Sequence, residues 1–483
     1  MLVLLASLLL VPFSGAFLST PTRGRDSDTV AILTSSATMV LAVAAVLLRS
    51  PARLDLPLYE IPWLPEAGHL FGFFLDPLSS LMVIIISVIG FLVILYSTAY
   101  LSPGNRDHAT SDGKGRYFLW MFLFVGSMLG LVLSPNFLQM FIFWELTSVC
   151  SWALISFYGG EKPLAAGFKA LLLTNLGGIS FMVALVMLYV ATHSFAFDAV
   201  QRLEPQARVV VFLLFLLAAW AKAAQIPFYT WLPDAMEAPT PVSAYLHAAA
   251  MVKAGVYLIA RIVITPAGLP WWIGLVVAGP AVLTMVIACL LFFFQDDLKK
   301  LLAYSTITHL SYVLLGCGLG ILGSATGMIG GILHIINHAF AKALLFLSVG
   351  AIAYATGVKS IRELSGLSHR MPLVSLAFFV GILAVTGVPP FSTFWSKFFL
   401  LTGAVDVGGY VGLLILIPFV LEVIVAFAWF LRVGQKVFFG EVSAAAAQAR
   451  DPSFAMSAVL VVLMIFSVLA PFIGLPIVHQ IQH

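Results

Sequence analysis

The sequence predicts an all-α polytopic membrane protein of about fourteen transmembrane helices, with two related halves that each contain a broken helix. Three observations lead there. Hydrophobic residues make up 61% of the chain and charged ones 9%, with a mean hydropathy of +1.07; a soluble domain carries roughly 25% charge. Apolar runs of about 18 residues or more, enough to span a hydrocarbon core, recur along the whole chain. Five of those runs are interrupted by an ionisable side chain: Glu145, Lys222, Lys253, Lys342 and Lys397.

The runs fall near 1–18, 29–49, 78–101, 117–133, 136–158, 164–192, 209–226, 240–263, 271–294, 300–322, 326–356, 373–403, 408–439 and 454–477. The first lacks a charged leading region and is followed by further spans, so it reads as a helix and not as a cleaved leader. The fifth carries Glu145. The seventh ends on Lys222 and then meets Gln225-Ile226-Pro227, where proline removes an amide donor and ends the helix. The eighth holds His247 and Lys253, the tenth His309. In the eleventh, His334, His338 and Lys342 recur at i, i+4 and i+8, along one helix face. The twelfth is broken at Pro389-Pro390 just before Lys397, and the thirteenth contains Glu422.

Of the lysines and arginines, fifteen fall in odd-numbered loops, five in even ones and four inside spans. Positive charge accumulates on the cytoplasmic side, so the odd loops are expected to face the cytoplasm and both termini the outer side.

Several function classes are excluded. The net charge of +3 is too small, and too scattered, for nucleic acid. Cys150, Cys289 and Cys317 stand alone, without the paired spacing of iron–sulfur, haem-attachment or disulfide frameworks. No phosphate-binding loop or dinucleotide fingerprint occurs. No cofactor is therefore expected in this chain, and any redox chemistry belongs to another one. His334 and His338 have metal-ligand spacing, but no third ligand stands near them in the sequence, so no metal is expected.

An ionisable group at mid-membrane costs about 2.5–3.5 kcal/mol on insertion scales, and such groups mark ion or proton pathways. The two proline breaks, Pro227 beside Lys222 and Pro390 beside Lys397, lie five spans apart. Paired discontinuous helices of this kind indicate inverted repeats with the working site at the breaks. Lys222 should lie at the last turn of its half-helix, where free carbonyls can solvate an ammonium, with Glu145 as a candidate partner. His334, His338 and Lys342 form a plausible proton wire, since imidazole titrates near neutrality. Lys253 has no partner nameable from sequence. His247 and Glu422 are possible further relay groups, and His309 a weaker one.

Phe143-Trp144-Glu145-Leu146-Thr147-Ser148, Trp231-Leu232-Pro233-Asp234-Ala235-Met236-Glu237-Ala238-Pro239-Thr240-Pro241, Lys299-Lys300-Leu301-Leu302-Ala303-Tyr304-Ser305-Thr306 and His338-Ala339-Phe340-Ala341-Lys342 resemble the antiporter-like subunits of respiratory complex I. That family includes Mrp-type cation/proton antiporters, membrane-bound hydrogenases and inorganic-carbon uptake complexes, and the resemblance covers about residues 70–440. It implies fourteen helices with two inverted five-helix repeats, divided as 1–110, 111–265, 266–440 and 441–483. It also implies Glu145 and Lys222 as a coupling pair, Lys342 as the central relay and Lys397 as the residue nearest the outer exit. Asn175 and Gly178 stand where some relatives carry an arginine and an aspartate. The Phe394-Trp395-Ser396-Lys397 motif is similar to the L-type subunit of complex I and the large subunit of Mrp, both of which extend beyond a fourteenth span. The resemblance implies a proton-translocating subunit of a multisubunit pump, coupled to redox chemistry in partners of the NADH-quinone oxidoreductase or membrane-hydrogenase type. The alternative is a redox-free Mrp-type Na+/H+ antiporter or a proton-driven carbon-uptake complex. Expected partners are antiporter-like and small hydrophobic membrane subunits, a peripheral redox module and the lipid bilayer of a bacterial or archaeal cell membrane.

Overall fold

A computed structural model of the chain describes residues 1–49, 54–60, 69–110, 112–265 and 268–481. The order begins with α1 (Leu2–Ser19), α2 (Gly24–Leu47), strands β1 (Leu54–Glu60) and β2 (His69–Leu75), and α3 (Pro77–Tyr100). Then follow α4 (Lys114–Val132), α5 (Phe137–Ile155), α6 (Glu161–Thr192), the short α7 (Ala199–Arg202), α8 (Pro205–Lys222), the short α9 (Trp231–Asp234), α10 (Thr240–Ala248) and α11 (Met251–Ile264). The second half runs through α12 (Trp272–Leu291), α13 (Leu298–Ile321), α14 (Ala325–Thr356), α15 (Pro372–Thr386), α16 (Ser392–Val407) and α17 (Gly409–Phe438), and α18 (Phe454–His479) closes the described chain. Among the described residues thirteen helical stretches are long and apolar enough to cross a membrane, and α15 with α16 supplies the fourteenth crossing in two pieces.

Helix ends follow local chemistry. Asp76 forms a capping box with Ser79 at the start of α3, and the side chains of Asn136, Asp297 and Ser324 accept amide hydrogens at the starts of α5, α13 and α14. Gly357 and Gly387 close α14 and α15 at φ 76° and 87°, a left-handed conformation that glycine adopts without strain.

Two runs share one plan. The elements α4, α5, α6, broken α8 and α10–α11 match α12, α13, α14, broken α15–α16 and α17, and both α6 and α14 are 32 residues long. The correspondence extends to detail. Asn136, the cap of α5, forms an isolated bridge with Ala196 beyond α6, and Asp297, the cap of α13, forms one with Ser360 beyond α14. Five crossings per run is an odd number, so the second run enters the membrane from the opposite face. The repeat boundaries at 111 and 266 fall outside the described residues.

Two features depart from the sequence expectation. The loop between α2 and α3 contains an antiparallel hairpin, whose Gly72 exchanges two hydrogen bonds with the Gln139 side chain of α5 (2.9 and 3.1 Å). The span expected to be continuous over 240–263 is interrupted at Ala249 and Ala250, just before Lys253. No proline or glycine marks that third break, so nothing in the local sequence signals it.

The core lies around α14, which is buried along its whole crossing, whereas α2 and α17 present most of their surface outward. The helix carrying His334, His338 and Lys342 is thus the most protected of the described crossings.

Ionic links tie the loops. Lys359, after α14, pairs with Asp107 at 2.9 Å, and Asp107 also contacts His108. Burial alone raises a carboxyl pKa, but the His108 hydrogen bond and the Lys359 charge outweigh it and lower Asp107 to about 2. A depressed carboxylate stabilises the fold above its unfolded pKa and loses that contribution as pH falls toward 2. Asp107→Asn should therefore destabilise the detergent-solubilised protein by about 1–2 kcal/mol at pH 7, after discounting for solvent screening. The gap from wild type should narrow on going from pH 5 to pH 3. Thermal melts across that range check it, and a pH-independent gap would remove the ionic explanation.

Candidate functional site

Lys222 is the last residue of α8 and has no exposed surface. Its ammonium donates to the Trp144 carbonyl (2.8 Å) and the Ser148 hydroxyl (2.7 Å) of α5, and lies 4.8 Å from the Trp144 ring centroid. From the sequence, the carbonyls of its own helix end are the expected ligands. Those are already taken: the Trp231 indole donates to Ala221 O (3.0 Å) and the Gln225 amide to Ala223 O (3.0 Å), so the ammonium reaches across to α5.

Glu145 lies one residue beyond Trp144 on the same helix. It is half-buried, its Oε1 has no hydrogen-bond partner among the described residues, and it forms no ion pair with Lys222 in this conformation. Gly178 of α6 leaves the space it occupies, since a β-carbon there would sit 2.2 Å from Oε1. Asn175, one turn earlier on α6, also has an unpartnered buried Oδ1. A carboxylate is the free end of a flexible side chain, so Gly178→Ala should fold normally while pushing Glu145 aside. We expect assembly within error of wild type and ion translocation reduced severalfold, measured in vesicles; unchanged translocation would mean that the position of Glu145 is immaterial.

The two proline breaks use similar parts differently. Both the Ile226–Pro227 and the Pro389–Pro390 peptide bonds are cis. At the first, Gln225 bonds onward to Ser311 of α13 (2.8 Å). At the second, α15 ends at Thr386, and Lys397 of α16 donates to the freed Thr386 carbonyl at 3.0 Å. The arrangement anticipated for Lys222, an ammonium on the open carbonyls of a half-helix, is found at Lys397 instead. A β-carbon on Gly387 would lie 2.9 Å from the Lys397 side chain, so the glycine serves both the turn and this approach.

The interruption between α10 and α11 gives Lys253 its partner, the Ala248 carbonyl. Lys342 donates to the Leu302 carbonyl of α13 at 3.2 Å. All four lysines are thus buried with their ammonium groups on backbone carbonyls from helix ends or neighbouring helices.

Histidines join them. His334 Nε2 and His309 Nδ1 are 2.9 Å apart in rings only 8° from parallel, so one nitrogen donates and the other accepts. His338 lies 5.0 Å from His309 between ring centroids, and the other His334 nitrogen is 2.8 Å from the Ser396 hydroxyl. A third imidazole does meet the His334–His338 pair, but the direct His309–His334 bond leaves no room for an ion between those nitrogens. Tyr312 completes the group. Its ring lies 5.1 Å from His334 and 5.1 Å from the Lys397 ammonium, and its hydroxyl donates to the Glu422 carboxylate. His247, fully buried, has both ring nitrogens free of protein partners among the described residues.

Ser148, Ser396 and Lys299 lie within motifs that carry the family resemblance, but nothing in the sequence gives them or Tyr312 a role, and His309 carries only a weak signal there. Hydroxyls in apolar helices ordinarily bond their own backbone, so a serine reaching another helix has no signature. Lys299 beside Lys300 looks like a solvated loop pair, yet its side chain is 2% exposed and its ammonium donates to Met236 O and Ala238 O, both at 2.6 Å.

Residues 134–424 match the family described as NADH:quinone oxidoreductase/Mrp antiporter, TM. The chain belongs to that family. Residues 63–118 also match the N-terminal region described for chain 5 of NADH-ubiquinone oxidoreductase (complex I). Among the curated relatives of this antiporter-like protein, a Na(+)/H(+) antiporter subunit from Alkalihalophilus pseudofirmus is 39% identical over 356 residues, which cover 70% of this chain and 43% of the relative. Its counterpart from the Na(+)/H(+) antiporter of Staphylococcus epidermidis is 37% identical over 409 residues, covering 79% and 49%. The chain spans about half the length of these relatives. In the solved Mrp complex from a Dietzia species, one chain superposes with a TM-score of 0.86 at 30% identity, covering 99% of this chain and 51% of that one. A chain of the membrane-bound sulfane sulfur reductase, an archaeal respiratory membrane complex, gives 0.84 at 23% identity, covering 99% and 96%, and so shares the fold. With its apolar crossings, the family assignment makes this a multi-pass membrane protein of the antiporter-like type.

Proposed function

We propose that the chain is the proton-translocating, antiporter-like subunit of a multisubunit membrane complex, and that Glu145, Lys222, Lys253, Lys342 and Lys397 with His247, His334, His338 and Glu422 carry the protons. The observation that supports this most directly is the continuous buried contact of Lys397, Tyr312, His334, His309 and His338, gathered from α16, α13 and the most protected helix, α14. A static core would fill those positions with apolar groups. Lysines held by single carbonyls, and imidazoles with free nitrogens, are groups that can gain and lose a proton without dismantling the fold. Bridging waters are the partners that buried polar groups such as His247 ordinarily take.

Of the two coupling modes considered from the sequence, exchange of a cation for protons in an Mrp-type complex is the better supported, by relatives named as Na(+)/H(+) antiporter subunits. Redox-driven pumping with a peripheral module is the second reading, favoured by the full-length likeness to a chain of a respiratory complex. Under both, the half-buried Glu145–Asn175 face is covered by a neighbouring membrane subunit, because an uncovered carboxylate in lipid is costly. Both termini would lie on the outer side of a bacterial or archaeal membrane.

Everted vesicles test this. Dissipation of an imposed pH gradient on adding Na+, without any electron donor, is the expected result for the exchanger. Acidification that requires an oxidisable donor would establish the redox mode, and neither activity above a deletion strain would overturn proton translocation itself.

A further inference from the structure

We infer that Arg261 and Asp76 form a fixed-charge seal across one end of the first run, so that protons reaching Lys253 cannot leave along α11. This deepens the proton-translocation reading and rests on it.

The first ground is placement. Asp76 caps the start of α3, and the Asp107 loop follows the end of the same helix. The Arg261–Asp76 pair therefore sits on the membrane face opposite the Asp107–Lys359 link. Lys253, Tyr257 and Arg261 stand at i, i+4 and i+8 of α11 and share one face of it. A row of polar side chains thus runs from the lysine at the third helix break toward that membrane face. An arginine near the end of a crossing ordinarily extends its charge to the headgroups. Arg261 instead turns inward and is 2% exposed.

The second ground is the chemistry of the row. The Tyr257 hydroxyl donates to the Val132 carbonyl at the end of α4 (2.8 Å) and accepts from Arg261 Nη2 (2.8 Å). The guanidinium holds both carboxylate oxygens of Asp76, Nη1 on Oδ2 and Nη2 on Oδ1 at 2.9 Å, and Nη2 also lies 3.2 Å from the Ser79 hydroxyl. A proton moving out along α11 would have to pass through a guanidinium, which keeps its own protons up to about pH 12. The same positive charge, held in a buried site, repels an incoming cation.

The third ground is the wall around the pair. The guanidinium carbon lies 5.1, 5.5 and 5.2 Å from the ring centroids of Phe74, Phe197 and Tyr257. Phe74 belongs to β2, and its amide donates to the Leu133 carbonyl beside Val132 (2.8 Å). The hairpin, the segment before α7 and the ends of α4 and α11 therefore close round one charge pair.

The competing role is a clamp between α3 and α11. Apolar replacement of a buried ion pair is often neutral or stabilising, whereas removing one partner strands the other charge. The informative variant is therefore Asp76→Asn/Arg261→Met, which removes both charges and keeps a good helix cap. Proteoliposomes holding the purified assembled complex, without Na+ or an electron donor, report the passive collapse of an imposed pH gradient. The seal predicts collapse severalfold faster than wild type in this variant, and a return to the wild-type rate when Lys253→Met is added. A gradient held as in wild type, or a leak that survives Lys253→Met, would overturn the seal in favour of the clamp. If the variant does not assemble, Arg261→Gln, which can keep one hydrogen bond to Asp76, decides by the same measurements with and without Lys253→Met. Normal translocation by Lys222→Ala would fault the relay reading itself, whereas a tight Asp76→Asn/Arg261→Met faults only the seal.

Discussion

Lys222→Ala is expected to remove at least nine-tenths of ion translocation while the complex remains assembled at wild-type abundance, and Glu145→Gln is expected to do the same. The reason is that neither side chain carries the fold. The acceptors of the Lys222 ammonium have other bonds: Thr147 donates to the Trp144 carbonyl at 2.7 Å, and Ser148 can fall back on that carbonyl at 3.4 Å. Removing the ammonium breaks no direct ion pair, because Glu145 makes none with it here. Glutamine fills the glutamate volume beside Gly178 without a titratable proton. What both changes delete is the ability of two nearby groups to bias one another's protonation. Proton-gradient formation in vesicles, read beside complex abundance, decides the matter. Normal translocation by both variants would sink the coupling role, and loss of assembly would reassign the two residues to structure.

Lys342→Arg should fail as completely as Lys342→Ala, each with a tenfold or greater loss. Lys342 is wholly buried, and its ammonium rests on one carbonyl, Leu302 O. A relay group there has to shed its proton and take it back; arginine remains charged up to about pH 12. If the site only needed a fixed positive charge, arginine would satisfy it. An active Lys342→Arg variant would therefore recast the residue as an electrostatic gate. The alanine variant separates this from a packing effect, since it leaves space where arginine demands it.

How far the site can be read from sequence varies residue by residue. Lys222, Lys253, Lys342 and Lys397 stand out because a charge inside an apolar run is energetically anomalous, and that anomaly needs no partner to be noticed. His334 and His338 stand out by spacing. His309 does not, because its role depends on α13 lying against α14, a relation with no local signature. Tyr312 and Ser396 are invisible for the same reason, and Lys299 is hidden because adjacent lysines ordinarily mean solvent. The third break, at Ala249 and Ala250, carries neither proline nor glycine, so only tertiary packing reveals it.

Composition and the length of apolar runs by themselves determined that this is a polytopic helical membrane protein. In hydrocarbon every backbone amide must be satisfied within its own segment, so a long apolar run has helix as its available form. Proline likewise determined where two of the crossings divide, because it lacks the donor that continuity requires. Tertiary structure alone decided which carbonyl receives each ammonium. It left Glu145 apart from Lys222, gave the half-helix carbonyl to Lys397, and brought His309 into line with His334. Those are contacts between residues tens to hundreds of positions apart, set by how helices pack, and a hydrophobic pattern records that a face is buried without recording what is buried against it.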